Sequence, residues 1–345
     1  MSRMTLTKLA ELAGVSASTV SHVLNGNPHT RVSEETRRRI FRVARETNYR
    51  PNLAARSLRR GYSGIIACVL ADITNSLATR LIVHMDSRLR SAGFHTIIGH
   101  SAFSNDEELE LTQRLIDRGV DAIVIGAIGQ APGKPDPLSS LPQQGTRLLR
   151  IDGPEGLEDF DYVTYDDCQG VRMAIDHMLE LGHRRFAYVG PSDFVTHDRT
   201  RRRAFIERLA EAGITGEAAQ VVERGPYREH GREAAMTLLD TPGPRPTAWV
   251  GFTDHVALGL LDGARSRGLV VGQDVSIVGF DNTDLVQDPA YSLNSIYLPE
   301  EPWAEAITEV LLGRLRGTTK DGDRQQRLLI PEYVARGSVG PVPSG

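Results

Sequence analysis

Four aspartates stand at the ends of apolar runs in this 345-residue chain: Asp72, Asp152, Asp254 and Asp281. A carboxylate so placed can accept paired hydroxyls from one small molecule. Arg199 adds a planar guanidinium that donates several bonds in a fork, and Tyr165 adds a ring face for stacking. Taken singly, each aspartate serves as a loop cap as readily as a ligand contact. Taken as a set, they favour a ligand-binding cleft. The same carboxylates could pair as acid and base, so they do not by themselves separate a binding protein from an enzyme. The chain has no Gly-x-Ser-x-Gly elbow, no Walker phosphate loop and no His-Glu-x-x-His pair. Cys68 and Cys168 are the only cysteines, and they are far apart. The expectation is therefore a binding protein without cofactor or metal.

A second group of residues lies near the start of the chain. Thr5 can cap a helix over Leu6–Ala13, in which Leu6, Leu9, Ala10 and Ala13 recur at helical spacing. Gly14 breaks it. Ser16 can cap a second helix running to about Asn25, with Val20, Val23 and Leu24 on its buried face. Ala17, Ser18, Ser21, His22 and Asn25 fall on the opposite face. Two short helices around a Gly turn, the second with a small and polar outer face, form a helix-turn-helix pattern. Such a second helix lies in the major groove of DNA with its N-terminal part at the base edges. Small side chains allow close approach, and His22 can donate to guanine N7 or O6. Thr5, Thr19 and Asn25 suit phosphate oxygens, which set register rather than sequence. A plain helical bundle has a similar periodicity, and spacing alone leaves that alternative open. A third helix starts at Ser33, with Glu34 and Glu35 favourably placed in its first turn, and stops before Pro51. Its stripe is Ile40, Val43, Ala44 and Thr47.

Charge follows the same division. Residues 1–64 hold 12 Lys/Arg against 4 Asp/Glu, while the whole chain has a net charge of −4. A basic head on an acidic body suits a polyanionic partner. Between them, Asn52-Leu53-Ala54-Ala55-Arg56-Ser57-Leu58-Arg59 is a helical pattern too short to be stable alone. It is expected to order on docking. Leu58 has no evident core to join in this basic linker, although packing on its own neighbouring domain is the alternative. Arg60–Gly64 supplies a flexible link.

From Ile65 onward, short apolar strands alternate with amphipathic helices. The pattern predicts strands over Ile65–Leu70, His95–Gly99, Ala122–Ile125, Leu148–Ile151, Tyr162–Tyr165, Phe186–Val189, Ala248–Gly251 and Ser276–Phe280. It predicts helices near 77–92, 106–118, 168–181, 199–213, 229–239, 255–267 and 303–315. This alternation argues for doubly wound parallel sheets in two similar lobes, with ligands beyond the carboxyl ends of the strands. The expected organisation is a head over 1–50, a hinge and linker over 51–64 and a body over 65–338. The first lobe would take about 65–164 and 296–325, the second about 165–295 and 326–338. No apolar stretch reaches the ~18 residues of a membrane span, and no apolar leader opens the chain, so a cytoplasmic location is expected.

These residues also resemble a known family. Thr5-Leu6, Leu9–Asn25, Val32-Ser33-Glu34-Glu35-Thr36-Arg37 and Asn48-Tyr49-Arg50-Pro51-Asn52 resemble the head of lactose-repressor (LacI/GalR) regulators. In the body the resemblance rests on Asp72-Ile73-Thr74-Asn75, Leu179–Arg185, Arg245–Ala248 with Asp254 and Ala257-Leu258-Gly259, and Asp274–Asp281. It implies that Ala17, Ser18 and His22 read bases, that Thr5, Ser16, Thr19 and Asn25 support the backbone fit, and that Asn52 and Leu58 contact DNA from the hinge. In the family the equivalent leucine wedges into the minor groove at the operator centre. The resemblance further implies a homodimer on a pseudo-palindromic operator, and a body like the periplasmic sugar-binding proteins. The implied function is a transcriptional regulator, most simply a repressor, controlled by a sugar-type effector. An activator, or a non-sugar effector, is the alternative. Three departures stand out. Ser76, Leu77 and Ala78 follow the Asp-x-x-Asn phrase where an aromatic is frequent. Thr253 replaces a common Asn, and Leu293-Asn294-Ser295 replaces Leu-Thr-Thr. The first leaves a sugar ring without its stacking partner on that side. The tail from Gly340 lacks a heptad, so nothing supports a C-terminal tetramerising coiled coil.

Overall fold

The computed structural model describes all residues except 1–3, 25–30, 51–60, 127–128, 130–135, 143–144, 153–159, 192–194, 321 and 344–345. The chain divides into two units, Met1–Ser63 and Gly64–Gly345.

The first unit contains α1 (Leu6–Ala13), α2 (Ala17–Leu24) and α3 (Glu34–Glu46). Their limits follow from capping. The Thr5 hydroxyl accepts the Lys8 N–H at 3.3 Å, and Gly14 ends α1 in the left-handed region at φ 65°. Ser16 accepts the Thr19 N–H at 3.1 Å, and Ser33 accepts the Thr36 N–H at 3.2 Å. Leu9, Ala10, Ala13, Val20, Val23 and Ile40 form the core. Ser21 is buried at the edge of this core, which corrects its expected place on the outer face of α2. It lies one residue after Val20, about 100° round the helix, and the three-helix packing extends far enough to cover it.

The second unit has two lobes. The first sheet has the order β11-β5-β4-β3-β1-β2 and pairs in parallel throughout. Its strands are β1 (Ile65–Leu70), β2 (His95–His100), β3 (Ala122–Gly126), β4 (Arg147–Arg150), β5 (Asp161–Tyr165) and β11 (Gln326–Leu329). The second sheet has the order β12-β10-β9-β8-β6-β7 and is parallel except for the antiparallel pair of β10 and β12. It comprises β6 (Phe186–Gly190), β7 (Ala219–Glu223), β8 (Ala248–Gly251), β9 (Ser276–Phe280), β10 (Asn294–Tyr297) and β12 (Glu332–Val334). The helices are α4 (Ser76–Ser91), α5 (Asn105–Asp117), α6 (Asp167–Glu180), α7 (Thr196–Glu211), α8 (Arg228–Asp240), α9 (Asp254–Ser266) and α10 (Glu300–Leu315). α10 packs on the first sheet beside α4, while α6 packs with α7 in the second lobe.

The strand–helix alternation read from the sequence reappears here with small shifts at element ends. The lobe boundary does not. Residues 326–329, expected in the second lobe, pair with β5 of the first sheet. The chain therefore crosses between lobes after β5, after β10 and again after β11. Strands β7, β10, β11 and β12 were not expected. Each has three to five residues.

Two helices of the second lobe approach unusually closely. A Cβ added at Gly259 would lie 1.9 Å from the Arg228 carbonyl oxygen, and one at Gly231 would lie 2.1 Å from that of Val256. Both obstacles are backbone, so α8 and α9 can pack this way only with glycine at the contact. Gly259→Ala is expected to lower the stability of the body by about 1–3 kcal/mol through overpacking. A urea unfolding midpoint equal to that of the parent protein would contradict this.

Candidate functional site

The outer face of the head is carried by α2. His22 and Ser18 are exposed on it, while Ala17 and Thr19 are half-buried. The Ser16 hydroxyl, besides capping α2, lies 2.8 Å from both the Ser18 and the Thr19 hydroxyls. These three hydroxyls therefore form one cluster at the N-terminus of α2, where free N–H groups and the helix dipole favour anions. Thr5 is exposed at the start of α1. Asn25, Asn52 and Leu58 lie outside the described residues.

In the body, a cavity of about 150 Å³ opens beyond the carboxyl ends of β1, β3 and β8, where doubly wound sheets place their ligands. The first lobe lines it with Asp72, Asn75, Phe103 and Trp303, and the second with His197, Arg201, Phe252, His255 and Asp281, among others. Asp281 sits at φ 98° just after β9, a conformation that L-residues rarely adopt and that recurs at functional sites. Its Oδ2 accepts the Asn75 amide at 2.7 Å. Burial raises the Asp281 pKa, and Arg201, Asn75 and two histidines work against that.

Arg201 is the central cation. Its Nε donates to Asp167 Oδ1 at 2.9 Å and its Nη1 to the Phe252 carbonyl at 2.6 Å. The guanidinium lies over the Phe280 ring, 3.9 Å from its centroid. Asp167 also accepts His197 Nδ1 at 2.6 Å. Burial alone would raise the Asp167 pKa, but Arg201 and His197 outweigh it and hold the carboxyl below its ordinary value.

The predicted ligand residues divide on this geometry. Asp72 and Asp281 line the cavity, although Asp72 also accepts from the Thr74 N–H at 2.8 Å and the Thr74 hydroxyl at 2.6 Å. Asp152 does not line it. Arg150 binds both its oxygens, at 2.8 and 2.7 Å, in a fully buried ion pair. Tyr165 is a core residue: its hydroxyl donates to the Pro299 carbonyl at 2.6 Å and its ring meets Trp303 edge-on at 5.3 Å. Asp254 stands behind the wall. It accepts from the Thr283 N–H at 2.6 Å and from the Ser295 hydroxyl at 2.6 Å. Arg199 is half-buried and lies off the cavity wall. Arg201, two residues on, is turned about 200° round the helix and faces inward.

Arg201, His197, Phe103, Phe252 and Trp303 were therefore missed. A run of four arginines and a histidine near the start of α7 gave no reason to prefer one member. The rings lie 25 to more than 200 residues from the phrase that lacked its aromatic. They bring to the cavity wall the rings that the sequence after Asn75 lacks. Among the described residues, no group of three or more His, Cys, Asp or Glu side chains could hold a metal.

Comparison with known proteins agrees with this architecture. Residues 5–52 match the family described as bacterial regulatory proteins, lacI family, and residues 175–339 match a periplasmic binding protein-like domain. The HTH-type transcriptional regulator DegA of Bacillus subtilis (strain 168) is 30% identical over 344 residues, covering 99% of each chain. A transcriptional regulator CelR–cellobiose complex aligns with a TM-score of 0.72 at 25% identity, over 97% of this chain and 100% of the other. The lac repressor dimer bound to operator and the anti-inducer ONPF has the same fold, with a TM-score of 0.82 at 23% identity over 98% of this chain and 99% of that one.

One titration in this region is open to direct measurement. Burial, and secondarily Asp281, push the Asp254 carboxyl up from 3.8 to about 8. A carboxyl whose pKa is raised by folding stabilises the fold while protonated. Its contribution is full below the ordinary value and is lost as pH climbs through about 8. Asp254→Asn should flatten the pH dependence of the body's thermal midpoint across that window. An unchanged slope would assign the proton to another group.

Proposed function

The chain belongs to the lacI family of bacterial regulatory proteins, and we propose that it is a dimeric repressor whose grip on a pseudo-palindromic operator is set by a small, sugar-like effector in the cleft between its lobes. It is a DNA-binding transcriptional regulator; its relatives are regulators rather than enzymes. No described helix is long and apolar enough to cross a membrane. The site of action is the cytoplasm, where operator DNA is met.

The observation that carries the effector half is the cavity wall: Asp281, Arg201 and His197 converge on one space that Phe103, Phe252 and Trp303 also face. Carboxylate acceptors, an imidazole and ring faces together suit a hydroxylated ring, whose edge bonds and whose apolar face stacks. The CelR–cellobiose complex supports a carbohydrate ligand by likeness. Asp72 joins Asp281 as an acceptor. Asp152, Asp254 and Tyr165 support the site from outside it.

On the DNA side, Ala17, Ser18 and His22 read bases, while Thr5, Ser16, Thr19 and Asn25 meet phosphates. Asn52 contacts DNA from the hinge, and Leu58 enters the minor groove. A single helix-turn-helix makes few base contacts, so two-fold pairing supplies both affinity and operator symmetry. The effector acts by binding one lobe arrangement better than the other, which changes the spacing of the two hinges.

The direct test is operator binding across a panel of carbohydrates and other metabolites, with an operator selected from a randomised pool. His22→Ala should relax preference at particular operator positions, by roughly 1–3 kcal/mol if the contact is bidentate and less for a single bond. The same operator preference in a repeated selection would remove His22 from the base readers. Arg201→Lys keeps the charge beside Asp167 but loses the planar fork. It should abolish the effector response and leave operator binding in place, whereas Arg199→Ala should retain the response. The reverse ranking would move the effector site off this wall.

A further inference from the structure

Asn75 belongs to two structures at once. Its Oδ1 accepts the Leu77 N–H at 2.9 Å and so caps α4 of the first lobe. Its Nδ2 donates to Asp281 Oδ2 at 2.7 Å, at the end of a strand of the second lobe. Around this bond the turn after β9 is tied to the start of α4 at further points. The Asp284 N–H donates to the Ser76 hydroxyl at 3.2 Å. Arg80 donates to the Asn282 carbonyl at 3.2 Å and pairs with Asp284 and, within its own lobe, with Glu300.

These ties are unequal. The Asp284 side chain is 71% exposed, so solvent screens its pairing with Arg80 and leaves little net attraction. Asp281 is 4% exposed. In that setting a bond from an amide to a carboxylate is worth more, and an unmet buried acceptor costs more. Asp281 and Asn282 both hold positive φ, 98° and 49°, which is conformational strain that persists only where surrounding contacts over-determine it. The Ser295 hydroxyl accepts the Asn282 N–H at 3.0 Å from within the second lobe, and Asn75 completes the restraint from the first.

We propose that the Asn75–Asp281 bond is the contact that latches the two lobes together across the cleft. The Asn75 amide stands in for a ligand donor. It occupies a carboxylate oxygen on the cavity wall and spares Asp281 the penalty of being buried without a partner. Resting on the effector reading above, a hydroxylated effector exchanges this amide for its own hydroxyl. The titratable and charged groups facing Asp281 are Arg201 and His197 from α7 and His255 and Asp254 from α9. All four belong to the second lobe, so their interactions with Asp281 stay within that lobe.

Asn75→Asp isolates the bond. Aspartate caps a helix as well as asparagine does, so α4 keeps its start, but the donor facing Asp281 becomes a second carboxylate. The readout is the lobe-to-lobe distance in the full, effector-free chain. Spin labels go on Glu107→Cys in α5 and Glu233→Cys in α8, both exposed, in a Cys168→Ser background diluted with unlabelled chain. Pulsed electron spin resonance should show the parent distance lengthen by several ångström in Asn75→Asp. It should return when Asp281→Asn is added, since donor and acceptor then face each other with roles exchanged. Asn75→Ser, which caps equally and places no charge against Asp281, should also lengthen it and gives the answer if the aspartate variant does not fold. A parent-like distance in the single variants, or a double variant that stays open, overturns the proposal. Neither result touches the effector reading, which stands or falls on the Arg201 experiment.

Discussion

The body depends on one constraint: a guanidinium buried at the carboxyl end of the second sheet must be paired and hydrogen-bonded within the protein. Arg201 is 3% exposed, and an ion so placed is tolerated only when paired and hydrogen-bonded. Asp167 at the start of α6, the Phe252 carbonyl after β8 and the Phe280 ring at the end of β9 meet that demand. Each partner comes from a different element, so the arginine ties the carboxyl ends of the second sheet together. The consequences reach Asp281, which faces the same charge and keeps its place on the cavity wall in a strained backbone.

The same logic separates the aspartates that began as one set. Asp152 is consumed by Arg150 in the first lobe, and Asp254 by Thr283 and Ser295 in the second. Both are buried supports rather than walls. Asp281 alone joins a buried carboxylate, an interlobe bond and cavity exposure. A site of this kind draws its precision from such supporting shells, because contacts from outside the cavity orient the groups that line it.

The head follows a simpler rule. Its helices are short, and each start is held by a hydroxyl: Thr5, Ser16 and Ser33. Capping sets where α2 begins and therefore which residues its outer face carries. The Ser16 cluster adds a concentration of hydroxyls at that helix N-terminus. DNA recognition of this kind needs a rigid presenting helix more than a large core.

Local chemistry was enough for several features. The caps at Thr5, Ser16 and Ser33, the Gly14 break, the eight expected strands and the seven expected body helices all follow from local spacing, where propensity and periodicity operate. The family phrases likewise located Asp281 and the Asp72–Asn75 turn. What tertiary structure alone decided were relations across long separations. β11 returns to the first sheet to pair with β5, more than 160 residues away in sequence. Arg201 rather than Arg199 faces the cleft because helix phase depends on packing, and four neighbouring arginines give no local cue. Phe103, Phe252 and Trp303 supply the rings that the Asp-x-x-Asn phrase lacks, from three elements that only the folded chain brings together. Burial is the physical reason for the difference. It is a property of the assembled lobes, and it decides which charges must be paired with protein and which remain for a ligand.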